Sequence, residues 1–324
     1  MKSLINIFFA FILVTSFSQE LLAQKTVFNK PKVIGKGTIS TTDFEFNFTT
    51  TNDDNTAFFT KALLPTWRKM TILTSKKRKG IWQSPQIASF SGQYRDADPF
   101  ISPDQTILLF ISDRPSKYQS NPMDYSFWFV NYPFDKKNKP KLLEGQFYSK
   151  TEGNPVYPSM SLNKNLYYSA FNKKKKKSAI YKVENINGKY NTPQILSFNN
   201  DAFSDLDPII APDESFIVFV SKDRKGQGKS DLFVCFNNSG KWGKPVNLGK
   251  NINSWFDEGQ PGISSDGKTL YFTSDRVENM FDFKPRKKPI TIHKYKKELS
   301  TPFNSLPNIW QVDISNIQNL NNEN

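Results

Sequence analysis

The stretch DEGQPGISSDGKTLYFTSDR, from Asp257 to Arg276, decides how the chain is read. Pro261 breaks its opening run, and Ser264-Ser265-Asp266-Gly267 makes a tight polar turn. Leu270 and Phe272 then alternate with polar neighbours, and Ser274-Asp275-Arg276 closes the unit. Asp suits such a turn because it bonds nearby backbone N–H groups, and Gly because it reaches positive φ. Alternation with a period of two is the mark of a half-buried strand.

The same design recurs along the chain. RDADPFISPDQTILLFISDR (Arg95–Arg114) and SDLDPIIAPDESFIVFVSKDR (Ser204–Arg224) match it closely. EGNPVYPSMSLNKNLYYSAF (Glu152–Phe171) is looser, with one residue fewer in its turn. DFEFNFTTTNDDNTAFFT (Asp43–Thr60) is degenerate. The turn residues Asp53, Asp104, Asn163, Asp213 and Asp266 lie 51, 59, 50 and 53 positions apart. Periods of that size belong to propellers or solenoids. Each unit offers strand, turn and strand, then a third strand-like run such as DYSFWFVNY (Asp124–Tyr132), then a Pro-led fourth such as KPVNLG (Lys244–Gly249). Four strands per repeat make a propeller blade. The runs TILLFIS, FIVFVS and TLYFTS lack the three-and-four apolar spacing of helical repeats.

An early segment, KPKVIGKGTIS (Lys30–Ser40), resembles KPVNLGKNINS (Lys244–Ser254), which ends one repeat and leads into the next. The early copy therefore reads as the outer strand of the final blade, joining the two ends of the chain and leaving no open edge. The expectation is an all-β propeller of five four-stranded blades, with six as the alternative. The blades fall at about 41–91, 92–148, 149–198, 201–250 and 254–315, with a closing strand at 31–36 and a disordered tail at 317–324.

Composition narrows the function classes. The chain has 324 residues, 20 of them Pro, with 15% aromatics and a formal charge of +14. Residues 1–23 read as a cleaved secretory signal: Lys2 supplies the basic start, Leu4–Val14 the apolar run, and Leu21-Leu22-Ala23 the cleavage site. The alternative, an N-terminal anchor, needs roughly 20 apolar residues. No cysteine lies near the cleavage site, so a lipid anchor is not expected, and the protein is placed in the periplasm or outside the cell. Cys235, the sole cysteine, sits in DLFVCFN as a buried strand thiol, and His293 is the sole histidine. That inventory excludes a Cys/His zinc site and leaves no disulfide framework. No metal or other cofactor is expected. Calcium on carboxylate oxygens is the one metal considered, and no loop motif supports it.

The Asp-x-Asp-Pro, Ser-Pro-Asp-Gly, Tyr-Phe-x-Ser and Ser-Asp-Arg elements resemble the PD40, or WD40-like, repeats of TolB-type β-propellers. The resemblance covers roughly residues 31–315. It implies the propeller fold and, since such propellers serve as periplasmic interaction scaffolds, a binding role.

Three groups of residues are candidates for chemistry. The first is the set of acids at the strand starts. Asp96, Asp205 and Glu258 stand three residues before the marker proline, with Glu45 in the same place by turn alignment. Asp98 and Asp207 stand one residue before it, and Gln260 replaces them in the fifth repeat. Repeat symmetry gathers such positions around the axis. Asp98, Asp207 and Glu258 are thus the candidates for a glycosidase pair, which needs carboxylates roughly 5–10 Å apart. The competing reading is that each acid pairs with Arg114, Arg224 or Arg276, or caps backbone amides. The second group is aromatic. Trp82, Trp242 and Tyr190 share a Gly-x-aromatic-x-x-Pro frame and read as packing, while Trp255 and Phe256 do not recur and are binding candidates. The third is basic. Lys173–Lys177 fits a hairpin tip, and the long insertion between Lys284 and Lys297 offers Arg286, Lys287 and Lys288 to an anionic partner. Neither segment interleaves the aromatics of a single-strand nucleic-acid platform. The reading is of a monomeric, non-catalytic scaffold for a protein or an anionic envelope polysaccharide, with no nucleic acid and no membrane span after signal removal. A five-bladed glycosidase is the alternative.

Overall fold

The computed structural model describes residues 28–63, 67, 69–134, 138–151, 153–277, 287–302 and 306–321. The signal segment, Glu152 and Arg286 lie outside the described residues. Five antiparallel sheets are set as blades. Blade 1 runs Phe44–Thr50, Thr56–Ala62, Met70–Arg78 and Gln86–Ile87. Blade 2 runs Asp96–Ile101, Ile107–Ser112, Ser126–Asn131 and Lys141–Leu142. Blade 3 runs Pro155–Met160, Leu166–Asn172, Lys177–Val183 and Gln194–Ile195. Blade 4 runs Asp205–Ile210, Phe216–Ser221, Asp231–Asn238 and Val246–Asn247. Blade 5 takes Glu258–Ile263, Thr269–Ser274 and Asn308–Asp313 from the end of the chain and Lys32–Val33 from its start. Lys32 lies opposite Gln311 and Val33 opposite Trp310, so the closure expected from the KPKVIG segment is present.

The inner strands of successive blades pack side by side, and that of blade 5 meets that of blade 1. At this last seam Gly262 comes so close that a Cβ on it would stand 2.4 Å from the carbonyl oxygen of Phe48. Nearby, the Tyr271 ring meets Phe48 edge-on at 5.0 Å. Phe58, Phe110, Phe127, Phe219 and Phe272 are fully buried within and between the blades. Each such side chain contributes about 1.5–3 kcal/mol.

The polar turns are structural. Asp104 accepts from Ser102 Oγ at 2.6 Å and from Thr106 N at 3.1 Å, and Asp266 from Ser264 Oγ at 2.6 Å and Lys268 N at 3.1 Å. Asp53 and Asp213 accept in the same way from Thr51 and Ser215. The next residue takes positive φ in every turn, at Asp54, Gln105, Lys164, Glu214 and Gly267. The third turn is one residue shorter, as its sequence implies: Ser102 N reaches the carbonyl of Ile107, whereas Ser161 N reaches that of Asn165.

The Ser-Asp-Arg elements also have a mechanical role. Arg224 ion-pairs with Asp205 at 2.7 Å and donates to the carbonyl of Phe198 at 3.1 Å. Arg276 pairs with Glu258 at 2.9 Å and donates to the carbonyl of Ile252. Arg114 does the same with Asp96 and the carbonyl of Phe90. Each guanidinium thus staples the start of its blade to the segment arriving from the previous one. Blade 1 substitutes Lys61, 3.3 Å from Glu45. In blade 3 the acid's place is taken by Pro155, and Thr151 pairs instead with the hydroxyl of Tyr168 at 2.5 Å.

One element is new and one expectation is corrected. The insertion contains an α-helix, α1 (Ile292–Leu299), capped by Thr291, whose side chain accepts from Lys294 N at 3.3 Å. The tail does not leave the domain at 317: Ile317–Leu320 forms a 3-10 turn whose Ile317 and Leu320, three apart, are buried in the core. Only 322–324 lie outside the described residues there.

The staples predict a measurable cost. Asp205→Ala leaves the Arg224 guanidinium buried without its anion. It is expected to lower the unfolding free energy by about 3–5 kcal/mol, and the double variant Asp205→Ala/Arg224→Met to recover much of that loss. Equilibrium urea denaturation of the three proteins checks it.

Candidate functional site

All five inner strands carry a bulge at the same place. Their ladders slip between Phe46 and Thr49, Ala97 and Phe100, Val156 and Ser159, Leu206 and Ile209, and Gly259 and Gly262. Inside each bulge one residue is left-handed: Asn47, Asp98, Tyr157, Asp207 and Gln260, with φ of 56°, 54°, 56°, 51° and 42°. A bulge re-aims the side chain it holds. Here it turns five equivalent positions into a ring around the axis.

The ring satisfies itself from blade to blade. The Asp98 carboxylate accepts from Tyr157 N at 3.0 Å, and the Asp207 carboxylate accepts from the backbone of Gln260. Thr60 Oγ1 and Ser169 Oγ take the N–H groups of Asp98 and Asp207 at 3.2 and 3.3 Å. Tyr157 reaches across to blade 5 and donates its hydroxyl to the carbonyl of Pro261 at 2.8 Å. The Tyr157 side chain, buried itself, helps to fill the channel. The cavity remaining among Asn47, Asp98, Tyr157, Pro158, Ile209 and Pro261 has a volume of about 20 Å³.

Among the described residues, Asp98 and Asp207 have no arginine partner. Each is only 9% exposed. Burial, and then the nearby Asp207 charge, push Asp98 up to about 8 against the pull of the Tyr157 N–H. Burial pushes Asp207 up to about 7, opposed by Lys222 and the Gln260 N–H. Such values suit an acid or base near neutrality, yet the cavity is far below the ~300 Å³ at which ligand pockets begin.

Glu258 is not part of this ring. It is fully buried, paired with Arg276, and accepts from Ser254 N and Ser274 Oγ at 2.8 Å each. Its carboxylate is therefore committed to the staple, which corrects its candidacy as a catalytic or binding group. The sequence reading missed Asn47 and Tyr157. The signal was present, because each ring residue stands six positions before its turn residue: 47 before 53, 98 before 104, 157 before 163.

The other candidates collect on one rim. Antiparallel blades place all second-to-third strand loops and all blade-to-blade links at one end, opposite the Asp turns. This loop face carries Trp255, 73% exposed, and half-buried Phe256, which lies in the link into blade 5. It also carries the basic hairpin tip between Asn172 and Lys177, where Lys175 and Lys177 pair with Asp201 and Asp223 at 2.9 and 2.8 Å. Lys287 and Lys288 are exposed just before α1, and Ile292 and Tyr295 stand exposed on the helix. Between blades 2 and 3 a cleft of about 430 Å³ opens, lined by Tyr118, Tyr125, Tyr148, Asn154, Lys173 and Lys174. Trp82, Trp242 and Tyr190, by contrast, pack edge-on against Phe48, Tyr167 and Phe147. Cys235 is fully buried, its thiol pushed up to about 12 by burial and donating to the carbonyl of Gly243.

No protein-family model matches the sequence, and no curated protein does. Among solved structures, the chain is similar to a putative TolB from Agrobacterium tumefaciens, with 15% identity, TM-score 0.47, and 74% of this chain and 73% of that one covered. It is similar to TolB from Acinetobacter baumannii at 13% identity and TM-score 0.47, over 73% of this chain and 50% of that one. An exo-β-1,3-galactanase from Clostridium thermocellum matches at 7% identity and TM-score 0.45, over 74% and 56%.

The ring acids give a pH prediction. Their folded pKa values lie above the usual carboxylate value, so the folded state holds the protons more tightly. The stability this provides is complete below pH 4 and is lost as pH rises toward about 8. Around the pair stand Lys222, Tyr157 and Tyr125, of which only Lys222 opposes the loss. In a mixed buffer of constant ionic strength, stability is expected to fall between pH 5 and 8 by up to about 1.4 kcal/mol per unit for each acid. Asp98→Asn is expected to flatten that slope. Thermal melts across this range measure it.

Proposed function

We propose that the protein is an exported, non-catalytic propeller scaffold that binds a protein or an anionic envelope polymer through its loop face. The observation that carries this reading is the commitment of the axial acids. Asp96, Asp205 and Glu258 are tied to arginines, Asp98 and Asp207 accept backbone N–H groups, and the cavity beside Asp98 is only about 20 Å³, too small for a sugar ring. The exposed chemistry instead lies on the rim, where Trp255 offers an uncovered aromatic face and Lys287 and Lys288 offer charge. Aromatic anchors beside cations are the composition that interfaces favour, and the net charge of +14 steers anionic partners toward such a surface.

The test compares the chain lacking residues 1–23 with its Trp255→Ala/Lys287→Glu/Lys288→Glu variant. Each is immobilised and exposed to envelope extract, and each is also assayed on a panel of aryl glycosides. The expected outcome is one reproducible partner whose retention falls at least about tenfold in the variant, the scale of one interface anchor, with no glycoside cleaved by either protein. Cleavage by the unaltered chain that disappears in Asp98→Asn or Asp207→Asn overturns the scaffold reading in favour of a glycosidase.

A further inference from the structure

Among the described residues, blade 3 lacks the staple that closes the loop end of its neighbours, and a cleft opens there instead. In blades 2, 4 and 5 the inner strand starts on an acid that lies opposite a serine: Asp96 and Ser112, Asp205 and Ser221, Glu258 and Ser274. The stapling arginine follows that serine by two or three residues. Blade 3 sets Pro155 opposite Ala170, and two residues later stands Asn172. Proline has no charge to pair, and asparagine is much shorter than arginine. Both residues line the cleft of about 430 Å³ between blades 2 and 3. That volume lies within the ~300–1,000 Å³ of ligand pockets.

The two walls of the cleft differ. Blade 2 and the link after it supply Tyr118, Asp124 and Tyr148. The rings of Tyr118 and Tyr148 stack at 4.3 Å and 20°. Tyr148 is fixed by its hydroxyl, which accepts from Phe127 N and donates to Leu143 O at 2.9 Å each. This aromatic wall is therefore in place before any ligand arrives. Blade 3 supplies Lys173 and Lys174, both exposed and without an ion pair among the described residues. On the other side of the same hairpin tip, Lys175 and Lys177 are neutralised by Asp201 and Asp223. The uncompensated charge of the tip thus borders the tyrosines. The backbone of Tyr125, also in the lining, is already paired: the Asn154 carboxamide donates to its carbonyl at 2.8 Å and accepts from its N–H at 2.7 Å. A peptide that binds by adding a strand needs unpaired backbone and has none at this position. A sugar needs none. Its C–H face carries slight positive charge and rests on the negative face of a tyrosine ring. Its hydroxyls can donate to the Asp124 carboxylate, which uses Oδ2 on Asn121 N. An anionic substituent suits the two lysine ammoniums, which act as point charges.

We propose that the cleft between blades 2 and 3 binds an acidic hexose unit of an envelope polysaccharide, with Tyr118 against the sugar ring and Lys173 and Lys174 on its carboxylate or phosphate. This rests on the loop-face scaffold reading and selects a glycan over a protein as the ligand. The departure of blade 3 from the repeat pattern then serves recognition. The cleft is lined by none of Trp255, Lys287 and Lys288, so the two parts of the loop face can be tested apart.

The test is calorimetric titration of the chain lacking residues 1–23 with four probes: tetragalacturonate, mannose 6-phosphate, fully methyl-esterified tetragalacturonate and tetraglutamate. One of the two acidic sugars is expected to bind saturably at one site per chain, at least about tenfold tighter than the neutral ester or the acidic peptide. Which of them binds separates carboxylate from phosphate. Tyr118→Ala and Lys173→Gln/Lys174→Gln are each expected to weaken that binding at least about tenfold, and the lysine variant also to flatten its salt dependence. Trp255→Ala is expected to leave it within about twofold. The proposal falls if neither acidic sugar gives saturable heat up to about 10 mM. It falls equally if the ester or tetraglutamate binds as well as the acidic sugar, or if binding is unchanged in Tyr118→Ala, because the tip then attracts anions without reading a sugar. Should Tyr118→Ala not fold, the lysine variant, altered only on an exposed tip, decides the matter. An envelope partner still retained in a Trp255-dependent way, with no acidic sugar bound, leaves the scaffold reading standing without this ligand.

Discussion

The left-handed residue in each inner-strand bulge is the constraint on which the molecule depends. Five strands converge on an axis where the cavity beside Asp98 is only about 20 Å³, so the polar groups there look for partners on neighbouring blades. The bulge permits this. It frees the N–H of Tyr157 and of Gln260 from the ladder and presents each to the carboxylate of the preceding acid. A left-handed non-glycine residue costs about 1–2 kcal/mol. The bulges recur in all five blades because burial of residues such as Phe110, Phe219 and Phe272 offsets that strain several times over.

Two systems divide the work around this ring. At the strand starts, buried ion pairs hold each blade to the link before it. At the axis, Asp98 and Asp207 rely on backbone N–H groups and, for Asp207, on the charge of Lys222. The outer system is rigid and charge-balanced. In the inner one burial disfavours the charged form, which is why Asp98 and Asp207 are displaced so far from ordinary carboxylates.

Much of this was written openly in the sequence. The spacing of Asp53, Asp104, Asn163, Asp213 and Asp266 gave the blade count, and the likeness of Lys30–Ser40 to Lys244–Ser254 gave the ring closure. The arginines that hold Asp96, Asp205 and Glu258 recur at matching places in the repeats. Tyr157 escaped because an aromatic breaks the polar pattern of its column, and because Pro155 and Pro158 offered two registers. Only the turn count, six residues in every repeat, resolves them. Helix α1 escaped for another reason. Ile292 and Tyr295 are spaced for a helix, but the run around them is rich in lysine, and Ile292 to Lys297 are all exposed, so no buried face makes its period visible.

Blade 3 shows how far one repeat can depart when its neighbours compensate. Among the described residues it has no acid–arginine staple, yet it holds its place through Glu214 of blade 4. That carboxylate accepts from Ser161 Oγ at 2.7 Å, from Asn165 Nδ2 and the Tyr167 hydroxyl at 2.6 Å, and stands 3.1 Å from Lys182. Although burial works against it, these donors hold Glu214 below the usual carboxylate range. The blade is therefore fastened at its turn end instead of its loop end. Its loop end is released from the symmetric pattern, and that is where the tyrosine-lined cleft and the Lys173–Lys177 tip have developed. Blade 5 keeps its staple and places its novelty in the insertion that bears α1. In both blades the variable chemistry lies on the loop face, while the turn face keeps the repeated polar turn with its left-handed residue, Lys164 or Gly267.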